Sequence, residues 1–228
     1  SLVSFALWRR DARFTDYDKE WLRKHGGYLG GKEVEVPAGR LNAGQKIFFR
    51  LTLALSLIMG LTGILLMVYY KPGAELAYDS VKDIHFVVPA GRFIRNIHRW
   101  GAHLMVLTVF LHMARVFYHG AYKPPREFNW VIGVILLTLT LLLSFTGYLL
   151  PWDQRAFWAT TVGTRIVGVA PVVGDWLLRV ARGGPELSVV TLARFFGVHV
   201  WVLPATLALL VGVHLYLVIR IGISAVPR

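Results

Sequence analysis

FIRNIHRWGAHLMVLTVFLHMARVF, residues 93–117, is long enough to cross a bilayer, yet it holds His98, His103, His112, Arg99 and Arg115. Ionisable residues inside a span are costly and default to a functional role. His98 and His112 are 14 residues apart. On a helix that interval rises roughly 21 Å and returns to within about 40° of the starting face. The stretch near the C-terminus, about 195–221, repeats the arrangement with His199 and His214, 15 residues apart. The corresponding rise is roughly 22 Å and the rotation about 60°. Each histidine pair therefore faces broadly one side of its helix, about four turns apart.

Two further stretches reach the roughly 20 apolar residues that a crossing requires: about 47–70, with LTLALSLIMGLTGILLMVYY, and about 130–150, with VIGVILLTLTLLLSFTGYLL. Pro72, Pro89, Pro124, Pro125, Pro151 and Pro227 lie outside the spans and mark their ends, whereas Pro204 lies inside the fourth, where a kink is tolerable. The composition agrees. Of 228 residues 55% are hydrophobic and only 17% charged, against about 25% charged in an ordinary soluble domain. A disordered chain is excluded by the same hydrophobicity. There is no cysteine, which excludes disulfides, thiolate-bound zinc, iron–sulfur ligation by this chain and thioether attachment of haem.

Charge placement orients the chain. Residues 1–46 carry nine Lys/Arg, 115–126 three and 220–228 two; the longer segments 71–97 and 151–194 carry four and five. The positive-inside rule places both termini in the cytoplasm. The net charge of +12 thus reads as orientation, and no nucleic-acid partner is expected. The chain divides into a cytoplasmic N-terminal segment, 1–46, and a membrane domain, 47–226. The basic stretch FALWRRDARF, residues 5–14, suits an interfacial amphipathic helix on anionic lipid. The apolar run before Trp8 is too short for a secretory signal.

The second and fourth spans run in the same direction. His98 can then sit level with His199 near the outer face, and His112 level with His214 near the inner face. Two facing imidazoles at each level can bind one iron axially from both sides, which describes two haems stacked across the bilayer and held between two helices of a bundle. A proton relay is the rival use of histidine, but it would favour Asp or Glu within the spans, and they contain none. His103, about 140° from His98, reads as a packing or surface residue, and His25, His85 and His119 as solvated. Arg99 and Arg115 suit pairing with anionic propionates. Gly133 and Gly147, also 14 apart, would let a flat macrocycle approach the third helix at two levels. Gly63 does so on the first helix, where Phe49 occupies the position 14 residues earlier.

At these motifs a family likeness becomes visible. NIHRWGAH and LHMARV in the second span, GYLLPWDQRAFWATTV after the third, and RFFGVHVWVLP and VHLYLVIRIGIS in the fourth resemble the N-terminal half of the cytochrome b family of quinol-oxidising bc-type complexes. The 15-residue interval in the fourth span resembles the short, split cytochrome b6 form. The likeness covers roughly residues 42–226. It implies an all-α integral membrane four-helix bundle with two b haems and short amphipathic helices between the third and fourth spans. It makes His98 and His199 ligands of an outer, low-potential haem and His112 and His214 ligands of an inner, higher-potential one. Arg99 and Arg115 match arginines near propionates, and Arg220 one beside the inner haem and quinone cavity. Pro151, Trp152, Phe157, Trp158, Ala159 and Val162 match the short helix lining the quinol-oxidation pocket. The residues alone also allow an amphipathic surface helix there.

The likeness implies transmembrane electron transfer from an outer quinol site to an inner quinone site, coupled to proton translocation, in a respiratory-type bacterial cytoplasmic membrane. Its implied partners are a subunit carrying the C-terminal half of cytochrome b, a Rieske iron–sulfur protein, a cytochrome c-type subunit, lipid and a second copy of the complex. Departures sharpen it. Ile47 stands where cytochrome b6 carries the cysteine that tethers an additional haem, Phe49 replaces a glycine beside the inner haem, and Ile219 replaces a histidine of the long form's inner quinone site. No Pro-Glu-Trp-Tyr-type motif is present, so the proton-accepting carboxylate belongs to another subunit. The alternative reading is a di-haem anchor for a hydrogenase, formate dehydrogenase or nitrate reductase. An anchor has no need of the PWDQRAFWATTV segment.

Overall fold

The computed structural model describes residues 12–27 and 41–222. Among these there is no strand; nearly all regular structure is α-helix. The short helix α1 (Asp16–Arg23) precedes the long α2 (Ala43–Tyr69). Next come α3 (Ala77–Phe86), α4 (Gly91–Tyr118) and α5 (Glu127–Leu149). The connection after α5 carries α6 (Gln154–Gly168) and α7 (Gly174–Arg182). The fourth span is composite: α8 (Val189–Gly197), a π-helical turn (Val198–Val202) and α9 (Leu203–Ile221).

Four segments are long and apolar enough to cross a membrane: Ala43–Tyr69, Gly91–Tyr118, Glu127–Leu149 and Val189–Ile221. They coincide with the four expected spans to within six residues. The fourth starts earlier than hydropathy indicates because Ser188 and Thr191 form a reciprocal capping box at its N-terminus, satisfying amides that would otherwise be orphaned. The spans keep large apolar side chains outward, among them Leu61, Leu107 and Leu209, each more than half exposed. Outward apolar faces suit lipid or apolar partner helices. The two short helices α6 and α7 are those expected between the third and fourth spans, and α3 was not foreseen.

The π turn has a local cause. Pro204 supplies no amide hydrogen, and its ring clashes with the carbonyl four residues back, in the α pattern. The backbone widens into i→i+5 bonding directly before it. A π turn holds one residue more than an α turn, which offsets the extra residue in the 15-residue interval between His199 and His214.

The chain forms two contact units. One comprises Ser1–Leu57, Leu107–Leu137 and Ala208–Arg228; the other comprises Ile58–Val106 and Thr138–Leu207. In the first, α1 is fastened to the start of α2. Asp18 and Lys46 form an ion pair of 2.7 Å with both side chains almost fully buried. Lys46 also donates to the Arg13 carbonyl, and Arg50 donates to the Ala12 carbonyl while its guanidinium lies 4.8 Å from the Phe14 ring centroid. Burial alone would raise the Asp18 pKa. Hydrogen bonds from Lys46 and Thr15 outweigh it and hold the carboxyl below its ordinary value. The interfacial helix expected at 5–14 falls mostly on residues 1–11, outside the described residues.

In the second unit, Ala77, Leu149, Leu192 and Phe195 form a closed apolar core, flanked by Tyr70, Phe145, Leu150 and Trp152. The Tyr70 hydroxyl donates to the Leu150 carbonyl at 2.7 Å. The bond ties the end of α2 to the turn after α5.

Candidate functional site

Each unit contains one facing pair of imidazoles. In the second, the His98 and His199 ring centroids are 6.4 Å apart with the planes at 71°. In the first, His112 and His214 are also 6.4 Å apart, at 82°. The two pairs are the ones expected from spacing, and all four rings sit on the two spans that carried the motif.

Glycines flank these rings. A Cβ added at Gly63 would lie 3.4 Å from His98 Cε1, one at Gly147 2.6 Å from His199 Cε1, and one at Gly133 3.8 Å from His214 Cε1. The fourth position of this pattern is held by aromatic residues. The Phe48 ring stacks on His112 at 4.4 Å and 14°, while neighbouring Phe49 is buried. Phe48 thus adds an aromatic contact to His112 that the sequence reading did not single out.

The Nδ1 atoms differ between the pairs. His98 Nδ1 lies 2.8 Å from Thr62 Oγ1, and His199 Nδ1 lies 3.1 Å from Thr146 Oγ1. His214 Nδ1 meets no hydroxyl and is buried beside the Asn129 backbone carbonyl, while Asn129 Oδ1 is buried without a partner. Sequence reasoning missed both threonines. The available signal was a repeated Thr-Gly dipeptide, at 62–63 and 146–147.

The residues fit a six-coordinate haem. Imidazole–metal bonds run about 2 Å, and an imidazole centroid lies roughly 1.2 Å behind its ligating nitrogen, so two imidazoles on opposite sides of one metal have centroids about 6.4 Å apart. Each pair offers two nitrogens, which leaves the remaining coordination to the macrocycle itself. Among the described residues no group of three or more His, Cys, Asp or Glu could hold a bare metal ion.

The arginines are less uniform. Arg115 is half-buried and within electrostatic reach of His112. Arg99 and Arg220 are exposed, and the Arg220 guanidinium lies 6.0 Å from the Tyr216 ring centroid. Arg95, one turn before His98, lines a cavity of about 240 Å³ together with Tyr78, Lys82, His85, Pro151 and Asp153. His85 Nδ1 is buried and unpartnered, and His119 Nδ1 bonds the Arg115 carbonyl at 2.9 Å, so neither ring is simply solvated. His103 is exposed, edge-on to Trp100, as a surface residue should be.

The segment after α5 turns sharply, with Trp152 in the left-handed region at φ 52°. Its ring meets Phe157 at 5.9 Å, and Phe157 meets Trp158 at 5.4 Å. Asp153 caps α6 by accepting from the Ala156 amide at 2.8 Å. Trp158, Ala159 and Val162 are exposed, whereas Ala156, Thr160 and Thr164 are buried. Helix α6 thus turns its small and hydroxyl residues inward and its large apolar residues outward. The inward face is held by Arg182 of α7, 4% exposed. Its guanidinium donates to Thr164 Oγ1 at 2.6 and 2.8 Å, to the Thr161 carbonyl at 3.0 Å and to the Pro185 carbonyl at 2.9 Å. Pro151, Trp152 and Phe157 form a wall. Trp158, Ala159 and Val162 stand on the outward face of α6.

A family model for cytochrome b/b6/petB matches residues 40–222. The chain belongs to the cytochrome b/b6 family. This cytochrome b/b6 chain is 45% identical over 214 residues to a cytochrome b6 of Heliomicrobium gestii, with 90% of the chain and 98% of the relative covered. It is 42% identical over 189 residues to the menaquinol:cytochrome c reductase cytochrome b subunit of Geobacillus thermodenitrificans, covering 82% of the chain and 84% of that relative. Among solved structures, a chain of a hyperthermophilic respiratory complex III is 34% identical with a TM-score of 0.74; 89% of this chain and 53% of that one are covered. This cytochrome b/b6 chain thus spans about half the length of that solved chain. Its four spans and its family make it an integral membrane protein.

Proposed function

We propose that the chain is the di-haem electron-transfer subunit of a quinol-oxidising bc-type complex and acts only within that complex. The observation that carries this reading is the pair of facing imidazoles repeated in both units, each at 6.4 Å. His98 and His199 would hold the outer haem, and His112 and His214 the inner one. When bound, two b haems supply a one-electron relay between an outer quinol-oxidation site and an inner quinone-reduction site. The protein's part is positional. Gly63, Gly147 and Gly133 keep the helix backbones clear beside the ligands. Arg115 offers a positive charge beside the inner ligand. Arg99 would pair with a propionate, and Arg220 would lie beside the inner haem and quinone cavity.

The quinol ring would lie against Pro151, Trp152, Phe157, Trp158, Ala159 and Val162. That wall is apolar and open on one side, which suits closure by another subunit. The C-terminal half of cytochrome b, carried by a separate chain, fits the open side. Quinol oxidation releases two protons and two electrons, and a Rieske protein and a cytochrome c-type subunit would take one electron of each pair outward. Both termini lie in the cytoplasm on this reading, following the charge asymmetry. A dimeric complex is the assembly state that accompanies it.

The test is spectroscopic and compositional. Reduced membranes should show b-haem α bands for two haems, and His112→Ala should remove one of them. Two haems persisting unchanged in that variant would overturn the ligand assignment. Copurification should bring down a Rieske protein. A hydrogenase-like catalytic subunit instead would establish the anchor reading.

A further inference from the structure

The four ligand imidazoles are not held alike. The Thr62 hydroxyl lies 2.6 Å from the Ile58 carbonyl of its own helix, and the Thr146 hydroxyl 2.8 Å from the Leu142 carbonyl. A hydroxyl has one proton to donate. In both threonines that proton faces a backbone carbonyl, so Oγ1 meets the imidazole with lone pairs alone. Nδ1 of His98 and of His199 must then carry the hydrogen and donate it. This fixes one tautomer for each ring and leaves both Nε2 atoms with free lone pairs. His214 of the inner pair differs, because no hydroxyl meets its Nδ1; the group beside it is the Asn129 backbone carbonyl.

We infer that Thr62 and Thr146 are positioning residues for the outer haem: each accepts the Nδ1 hydrogen of its histidine, fixes the ligating tautomer, and lowers the outer haem's reduction potential relative to the inner one. The physical link is charge. An imidazole that donates from Nδ1 is a more electron-rich ligand through Nε2, and a more basic ligand favours the oxidised metal. Two such bonds act on the outer site. Electrons entering there are thereby biased toward the inner site by the protein itself. Threonine also serves the packing. Its i−4 back-bond holds the side chain against its own helix, and the glycine that follows it leaves the backbone clear for the imidazole. The Thr-Gly dipeptide is in this sense a single device used twice. The inference rests on the proposed haem ligation and adds to it the cause of an asymmetry between the two sites.

The experiment is a redox titration of the purified complex, with Thr62→Val, Thr146→Val and the corresponding Ser variants. Valine keeps the shape and removes the acceptor; serine keeps the acceptor. Each valine variant should raise the outer haem's midpoint so that its reduced-to-oxidised ratio at fixed ambient potential rises roughly tenfold, about 59 mV for one electron. The inner midpoint should not move, and each serine variant should titrate like the parent. The low-temperature EPR signal of the outer haem should shift in the valine variants alone. If a valine variant loses the outer haem, retention of the haem at the parent potential by serine supports the inference, and failure of serine to restore it overturns it. Unchanged midpoints in both valine variants with both haems bound overturn it as well. A parent complex without two b haems would instead overturn the ligation reading.

Discussion

Glycine against imidazole is the finest-grained feature of the site, and its three instances differ in tightness. At Gly147 an added Cβ would come 2.6 Å from His199; at Gly63 the gap to His98 is 3.4 Å and at Gly133 the gap to His214 is 3.8 Å. Overpacking typically costs about 1–3 kcal/mol. Gly147→Ala should therefore lower haem occupancy at the outer pair sharply, Gly63→Ala slightly, and Gly133→Ala hardly at all. Haem-to-protein ratios on the three variants check this order. The buried pair Asp18–Lys46 is a second residue-scale feature. Removing one partner of a buried pair costs about 3–5 kcal/mol, so Lys46→Ala should release α1 from α2 and expose the segment to protease. In the parent chain the folded Asp18 pKa lies below the unfolded value of 3.8. Its contribution is then complete above that value and disappears as pH falls through the lower, folded one. Protease protection of residues 12–27 should hold from neutral pH down to the carboxylate range and fail only below it.

At the scale of elements, the π turn and the α6–α7 pair carry the argument. The π turn takes up one residue, so deleting Val202 should convert it to an α turn with both histidines still on the ligand face. Deleting Leu207 from α9 instead removes roughly 100° of rotation and should cost the inner haem. Counting b haems in the two deletions separates these outcomes. Helix α6 depends on the buried cation of Arg182, whose acceptors are a hydroxyl and backbone carbonyls. Hydrogen bonds to charged groups contribute about 1.5–3 kcal/mol each. Arg182→Ala should loosen α6 and raise the apparent KM for quinol several-fold, with both haem midpoints unchanged. A shift in the midpoints would place Arg182 in a different role.

For the whole molecule, the charge asymmetry predicts an orientation that fusions can read. Alkaline phosphatase joined within the 169–173 connection should be active, and joined after Gly222 inactive. The apolar outward faces of α6 and of the spans leave much surface for lipid and partner subunits. Four spans, two histidine pairs and the all-α class were legible in the sequence because hydropathy and the 14- and 15-residue intervals are one-dimensional signals. The helix α3, the tie from α1 to α2 and the π turn were not. They depend on packing of Ala77 into the core with Leu149, Leu192 and Phe195, on burial of a charge pair and on a proline's effect one turn upstream, none of which has a period.

Residue order alone determined that this chain crosses a membrane four times and that His98, His112, His199 and His214 lie on the faces of two parallel helices. Helical geometry makes spacing equivalent to direction, so that much follows without coordinates. Only the tertiary structure decided what lies against each ring: Phe48 on His112, Gly147 closest of the three glycines, and Thr62 and Thr146 on His98 and His199. Those contacts join residues between 36 and 64 positions apart. Their partners are chosen by how helices pack, and the trace this leaves in the chain, the repeated Thr-Gly dipeptide, names no partner.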